Sequence, residues 1–108
     1  MQFSEEKQAT MRAAFQADLS GRLSEIEDLA REVRSGHLSA PQASAAALAH
    51  LHDIKGCGTA FGCPEASDLA RRYEAVLLKP AASPAALAEV LAAAARELRQ
   101  FAMENRNR

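Results

Sequence analysis

Hydrophobic side chains recur every three or four positions along most of this chain, which is the spacing of amphipathic α-helices. The longest such pattern begins after Ser4, a favoured residue type at helix N-termini, and ends at Ser35 and Gly36, where glycine suits a helix C-terminus. Gly21 interrupts the pattern at a cost of about 1 kcal/mol relative to alanine. The pattern therefore allows a break there, or a short extra N-terminal helix. Its apolar positions are Met11, Phe15, Leu19, Leu23, Ile26, Leu29 or Ala30, and Val33.

Three further helices are predicted downstream. The second runs from Ser39 to about Gly62, and the third begins at Pro64. Ser83, in the connection Lys79–Pro84, predicts the start of the fourth. Four amphipathic helices with short connections predict an all-α protein folded as an antiparallel up-and-down four-helix bundle. The apolar faces comprise Ala66, Leu69, Ala70, Tyr73, Val76 and Leu77 in the third helix, and Leu87, Val90, Leu91, Ala94, Leu98, Phe101 and Ala102 in the fourth.

The composition supports this architecture and argues against two classes of function, nucleic-acid binding and membrane spanning. Only 5% of the residues are aromatic, none is tryptophan, and alanine and leucine dominate, which favours helices over a sheet. The 108 residues are the length of one domain, predicted to cover residues 1–108. The 13 basic and 14 acidic residues leave a formal net charge of -1, so no basic stripe is available to bind nucleic acid. The apolar runs are far shorter than the roughly 20 residues that a membrane span needs.

The N-terminal segment predicts the cellular compartment, and the compartment in turn predicts the state of the cysteines. Residues Met1–Lys7 turn acidic where a signal peptide would be hydrophobic, so we expect a cytoplasmic chain. Cys57 and Cys63 are then expected to be free thiols, since a helix would hold them roughly 9 Å apart, beyond disulfide reach. His50 and His52 together with these cysteines raise the alternative of a metal-binding bundle. They match no strong ligand spacing, so we expect neither metal nor cofactor.

The second helix carries the candidate site. A rotation of about 100° per residue puts His52 roughly 140° from the centre of the apolar sector, so that it faces solvent. Lys55 and Gly56 lie on the same side as His52, one turn further along. An imidazole with its ordinary pKa of about 6.5 is a nucleophile near pH 7 and can hold a phosphoryl group. Lys55 would offset the charge of that group, and Gly56 would let another protein's active site approach. The apolar sector itself contains Ala47, Leu51, Ile54, Gly58 and Phe61.

Three glycines fall within or at the end of this one predicted helix. Gly56, Gly58 and Gly62 together weaken it, since each helical glycine costs about 1 kcal/mol relative to alanine. Such a cost indicates that close approach matters here, either by a partner or by a neighbouring helix.

The segment His52–Gly62 reads His-Asp-Ile-Lys-Gly-Cys-Gly-Thr-Ala-Phe-Gly. It resembles the signature of the histidine phosphotransfer (HPt) domain: His, any residue, an aliphatic residue, Lys, Gly, then small residues and a Gly ten positions after the His. Leu69–Glu74, Leu-Ala-Arg-Arg-Tyr-Glu, is similar to the family's Leu-x-x-x-Leu-Glu on the following helix. The chain departs from the pattern at Asp53, where a small hydroxyl residue is more usual. It also departs at Cys57-Gly58, which replaces the usual Ser or Ala pair.

The resemblance implies that His52 takes a phosphoryl group from a receiver-domain aspartate, or directly from a histidine kinase, and passes it to another receiver. It implies that Lys55 stabilises the phosphohistidine, that Gly56 gives access, and that the ε nitrogen carries the phosphoryl group. It also implies that the partners are response-regulator receiver domains and a sensor or hybrid histidine kinase. The receiver would supply Mg²⁺, so this chain needs no cofactor of its own.

We expect the chain not to be an enzyme in its own right, because it contains no recognisable ATP-binding domain. We expect a monomer, because no further long apolar helix is left to pair. The main alternative is a non-catalytic helical interaction module that binds a kinase or receiver without being phosphorylated. The docking surface is predicted to surround His52, with help from the first helix, and to include Ala45, Leu48, Ala49, Lys55, Gly56 and Thr59.

Overall fold

A computed structural model of the protein describes residues 4–106. This range contains four α-helices and no strand, which confirms the all-α prediction. The first three residues and the last two lie outside this range. The prediction of a cytoplasmic chain depends in part on Met1–Phe3, so that part of it falls outside the described residues. The helices are α1 (Glu5–Ser35), α2 (Ala40–Ala60), α3 (Pro64–Leu77) and α4 (Pro84–Arg106).

Local side-chain chemistry sets most of the helix ends. Ser4, Ser39 and Ser83 each accept a hydrogen bond from the backbone N–H three residues later, at 3.2, 3.3 and 3.0 Å. These bonds satisfy donors that the first helical turn leaves unpaired. Gly36 ends α1 with φ +83°. Gly62, with φ +78°, lies in the turn after α2, which ends two residues earlier than predicted.

The four helices form one antiparallel up-and-down bundle. Connections of four, three and six residues, 36–39, 61–63 and 78–83, reverse the chain between successive helices. The largest helix–helix interfaces are between α2 and α3 and between α1 and α4. The predicted bundle is therefore confirmed. Its core is a stack of fully buried side chains, each contributing roughly 1.5–3 kcal/mol through burial. The largest apolar members are Leu19, Leu23, Ile26, Leu51, Ile54, Leu91 and Leu98.

The expectation of a break or a short extra helix near Gly21 is wrong. α1 continues through Gly21 for 31 residues, and its length of about 46 Å matches the 47 Å long axis of the described residues. Gly21 is exposed, but Leu19 and Leu23 on either side of it are fully buried. Burying two leucines outweighs the roughly 1 kcal/mol that one glycine costs the helix.

The apolar face predicted for α3 also needs one correction. Val76 is 47% exposed, whereas Ala66 and Ala70 are fully buried. Val76 lies one residue before the end of α3 and lines an open apolar groove between the start of α2, the end of α3 and the start of α4. Leu77, about 100° of helical rotation away, points into the core and is buried, so Val76 lies at the edge of the apolar face.

Candidate functional site

His52 stands on the solvent side of α2, as its helical angle predicts. Its side chain is 70% exposed. The ring nitrogen Nδ1 lies 3.7 Å from Oε2 of Glu74, an electrostatic contact slightly longer than a hydrogen bond. Within residues 4–106, the other ring nitrogen, Nε2, has no hydrogen bond or ion pair to any side chain or backbone group. The geometry therefore orients one edge of the imidazole toward α3 and leaves Nε2 accessible to a partner.

Glu74 joins His52 to Lys55. Its second carboxylate oxygen, Oε1, lies 2.8 Å from Nζ of Lys55. The Glu74 side chain is only 16% exposed, so this ion pair is shielded from solvent more than an ordinary surface pair. One carboxylate from α3 thus faces both the imidazole and the ammonium group presented by α2.

The two glycines of α2 occupy different environments. Gly56 is exposed, and a Cβ added there would meet no heavy atom within 4 Å. Gly58 is buried against α3, where an added Cβ would lie 2.5 Å from Oγ of Ser67 and 3.0 Å from the carbonyl oxygen of Cys63. Gly56 therefore leaves open space beside His52, whereas Gly58 allows α3 to approach α2 closely.

Ser67 connects α3 to α2 by hydrogen bonds at the point where Gly58 lets the two helices approach closely. Its buried hydroxyl donates to the backbone carbonyl of Lys55 at 2.7 Å and accepts from Oγ1 of Thr59 at 3.0 Å. α3 also carries Glu74, two turns further along. The contact between Gly58 and Ser67 therefore helps to set how closely Glu74 lies to His52 and Lys55.

The predicted docking residues share the face of α2 that carries His52. Ala45, Ala49, Gly56 and Thr59 are exposed, and their helical angles lie within about 60° of His52. Leu48 and Lys55 belong to the same sector and are half-buried. This face of small side chains around one imidazole offers a partner an unobstructed approach.

The opposite flank of His52 is a cluster of charged side chains contributed by α1 and α2. Arg22 lies between them: its Nη1 is 2.9 Å from Oδ2 of Asp53 and 3.2 Å from Nδ1 of His50. Its Nε donates to Asp18 at 2.8 Å, and this hydrogen bond is the largest cause of the raised pKa of Arg22. Nε2 of His50 lies 2.6 Å from Glu25. Because a guanidinium can only donate, Nδ1 of His50 is the acceptor in its contact with Arg22.

A family model described as the Hpt domain matches residues 10–104, most of the chain. The chain belongs to the Hpt domain family. Such domains serve histidine phosphotransfer in two-component systems, act with receiver and kinase partners, and lack an ATP-binding domain of their own. The matched range contains His52 and every other predicted site residue. No curated protein and no solved structure gives a significant match to the chain.

The cysteines of this Hpt domain are both free, as predicted. Cys57 is half-buried in α2, whereas Cys63 precedes α3 and is buried, and burial raises the pKa of its thiol. Within residues 4–106, no group of three or more His, Cys, Asp or Glu side chains could hold a metal ion. In the same range, no helix is long and apolar enough to cross a membrane.

Sequence reasoning missed three contributors to this Hpt domain's site. Glu74 belongs to the segment that resembles the family pattern, but the pattern predicts no contact with His52. Ser67 carries a signal that could have found it, because a small polar residue on an apolar helix face indicates close helix packing. Arg22 carries no such signal, because a periodic pattern does not tell which exposed arginine meets another helix.

Proposed function

We propose that this Hpt domain accepts a phosphoryl group on Nε2 of His52 and passes it to a receiver domain in a two-component phosphorelay. The donor is the phosphoaspartate of another receiver or a phosphorylated histidine kinase. The observation that carries the proposal is the exposed imidazole whose Nδ1 faces Glu74 and whose Nε2 has no partner among the described residues, with Lys55 one turn away.

The proposed step is an in-line transfer. The lone pair on Nε2 attacks the phosphorus of the receiver's aspartyl phosphate, and the N–P bond forms as the P–O bond to the aspartate breaks. The electron pair of that bond stays with the aspartate carboxylate. The imidazole keeps its proton on Nδ1 and becomes positively charged, which the carboxylate of Glu74 offsets. Transfer to a second receiver is the reverse sequence with a different aspartate.

Lys55 and Gly56 make this transfer possible in different ways. The ammonium group of Lys55, held by Glu74, partly neutralises the doubly negative phosphoryl group once it is bound to His52. Gly56 leaves room for the acidic pocket of the receiver to reach the imidazole. The receiver supplies Mg²⁺, so this chain contributes only an oriented and charge-compensated nucleophile.

The docking surface is the exposed face of α2 around His52. It combines the small side chains of Ala45, Ala49 and Thr59 with the half-buried Leu48. A small face of this kind suits a transient interface of modest affinity, because large apolar anchors are absent from it. We propose that the domain acts as a monomer in the cytoplasm.

Phosphoryl transfer to the purified protein tests this proposal directly. A panel of autophosphorylating kinases and phosphorylated receivers is incubated with the protein, and the acid and base stability of any label is measured. An acid-labile, base-stable label is expected, since this behaviour identifies phosphohistidine. Binding to a kinase or receiver without any label would instead favour the non-catalytic interaction module.

Replacing Gly56 by leucine tests the access role. We expect Gly56→Leu to fold normally, because an added Cβ meets no heavy atom within 4 Å and leucine favours the helix more than glycine does. We expect it to slow transfer from a phosphorylated receiver by roughly 10- to 100-fold. The branched side chain would displace the receiver's reacting atoms from His52. Single-turnover transfer rates measure the effect, and thermal unfolding monitored by circular dichroism checks the fold.

Ala85→Leu is the matched control for this enlargement. Ala85 is exposed on α4, which lies diagonally across the bundle from α2, so its enlargement leaves the docking face unchanged. This variant should transfer at the wild-type rate. Equal transfer rates for wild type and Gly56→Leu would contradict the access role of Gly56.

A further inference from the structure

Asp53, immediately after His52, adds a negative charge at the place where a doubly negative phosphoryl group must arrive. Its carboxylate is about half exposed and forms an ion pair with Arg22 of α1. Asp18 and Glu25, from α1, lie on the same flank through their contacts with Arg22 and His50. Without a cation, the carboxylate of Asp53 would lie uncompensated beside the phosphoacceptor and would repel the incoming group.

Arg22 is placed to cancel that repulsion. It contacts Asp53 and His50, which flank His52 at positions i+1 and i−2, and it also contacts Asp18. Its side chain is 25% exposed and has three partners, so its position is better defined than that of a solvated surface arginine. On the other flank, Lys55 is held by Glu74. Two cations held in place by ion pairs, Arg22 and Lys55, thus lie on opposite flanks of the phosphoacceptor.

We infer that Arg22 is a positioning residue for phosphotransfer: by neutralising Asp53, it keeps the α1 flank of His52 from repelling the phosphoryl group. The inference rests on the proposed role of His52 and extends it to a residue of α1. It also explains how this chain accommodates an aspartate beside its phosphoacceptor. Arg22 acts through Asp53 and forms no bond to the phosphoryl group.

The test uses a donor that needs no docking. Phosphoramidate transfers its phosphoryl group to imidazole: its P–N bond breaks, the new N–P bond forms on Nε2, and ammonia leaves. The rate of labelling of His52 is followed by ³¹P NMR, with the His52→Gln variant as the background. We expect Arg22→Ala to be labelled roughly fivefold more slowly than wild type at low salt. The defect should shrink when ionic strength is raised to about 1 M.

A second substitution distinguishes an electrostatic role of Arg22 from a purely structural one. The double variant Arg22→Ala with Asp53→Asn removes both charges and should recover labelling to within about twofold of wild type. A purely structural role for Arg22 predicts no such recovery, because Asp53→Asn restores none of the lost contacts. Arg31→Ala removes another α1 arginine, which is 67% exposed and pairs with Asp28 of its own helix, and this variant should label at the wild-type rate. Unfolding temperatures of all variants complete the comparison.

Each result of the labelling experiments either supports or overturns the inference about Arg22. Slower labelling of Arg22→Ala, reversed by Asp53→Asn and by salt, supports the inference. Equal labelling of Arg22→Ala and wild type overturns it while leaving the function of His52 intact. A defect that appears only with phosphorylated receivers overturns it too, because Arg22 would then be a docking contact. Absence of label on wild type from every donor overturns both this inference and the proposed function.

Discussion

Replacing His52 by glutamine is expected to abolish phosphoryl acceptance completely while leaving the bundle intact. The amide of glutamine is not a nucleophile, so no N–P bond can form at this position. The side chain of His52 is 70% exposed and its contact with Glu74 is long, so the substitution removes little packing. The measurement compares labelled transfer to wild type and to the His52→Gln variant from the same donor. Circular dichroism should give unfolding temperatures within a few degrees of each other.

His37→Gln provides the matched control for that experiment. His37 is also an exposed histidine, but it lies in the connection after α1 and contacts Ser35. It has no neighbouring lysine comparable to Lys55, so its substitution should leave the label unchanged. Labelled transfer that persists in His52→Gln, or that disappears in His37→Gln, would contradict the assignment of the phosphoacceptor.

The second large effect is expected on the free energy of unfolding, when a substitution disturbs the contact between α2 and α3. In a Gly58→Ala variant the new Cβ would lie 2.5 Å from Oγ of Ser67 and 3.0 Å from two backbone atoms, the Cys63 carbonyl oxygen and the Ser67 nitrogen. Turning the Ser67 hydroxyl away would break its hydrogen bonds to Lys55 and Thr59. The backbone contacts would remain in any case, so α3 must move outward.

We therefore expect Gly58→Ala to lower the free energy of unfolding by about 1–3 kcal/mol, after allowing for the better helix propensity of alanine. The midpoint of thermal unfolding should fall by roughly 5–20 °C for a domain of this size. Denaturant titration with an unchanged m-value would confirm a loss of stability rather than a change of the unfolded state.

Gly56→Ala is the control for this prediction, because it makes the same substitution two residues earlier on the same helix. Its Cβ would meet nothing within 4 Å, so it should leave stability unchanged or raise it by about 0.5–1 kcal/mol. Equal unfolding free energies for Gly58→Ala and Gly56→Ala would show that α3 does not approach α2 as closely as the structure indicates.

The failed expectation at Gly21 marks a boundary of sequence reasoning. Intrinsic propensity assigns the glycine a cost of about 1 kcal/mol, but it gives no measure of how much packing spans that position. Leu19 and Leu23 are buried against the rest of the bundle on either side, and this burial holds both parts of α1 in one helix. Val76 illustrates the opposite case, because it fits the apolar pattern of α3 and yet lines an open groove and remains 47% exposed.

The sequence by itself determined the features that depend on short stretches of chain. The three-to-four spacing of apolar residues predicts the helices, serine and glycine set most of their ends, and short connections require an antiparallel bundle. The exposure of His52 and the position of Lys55 and Gly56 beside it follow from the regular rotation of one helix. Such features are local, so neighbouring residues alone decide them.

Only the tertiary structure decided which side chains from other helices complete the site. Glu74 comes from α3 to face His52 and Lys55, and Arg22 comes from α1 to neutralise Asp53. It also distinguished Gly58, which lets α3 approach, from Gly56, which leaves open space. These contacts join residues 19 to 31 positions apart in the chain or depend on helices packed against one another. Their distances follow from the rotation and separation of whole helices, which periodicity along a single helix does not contain.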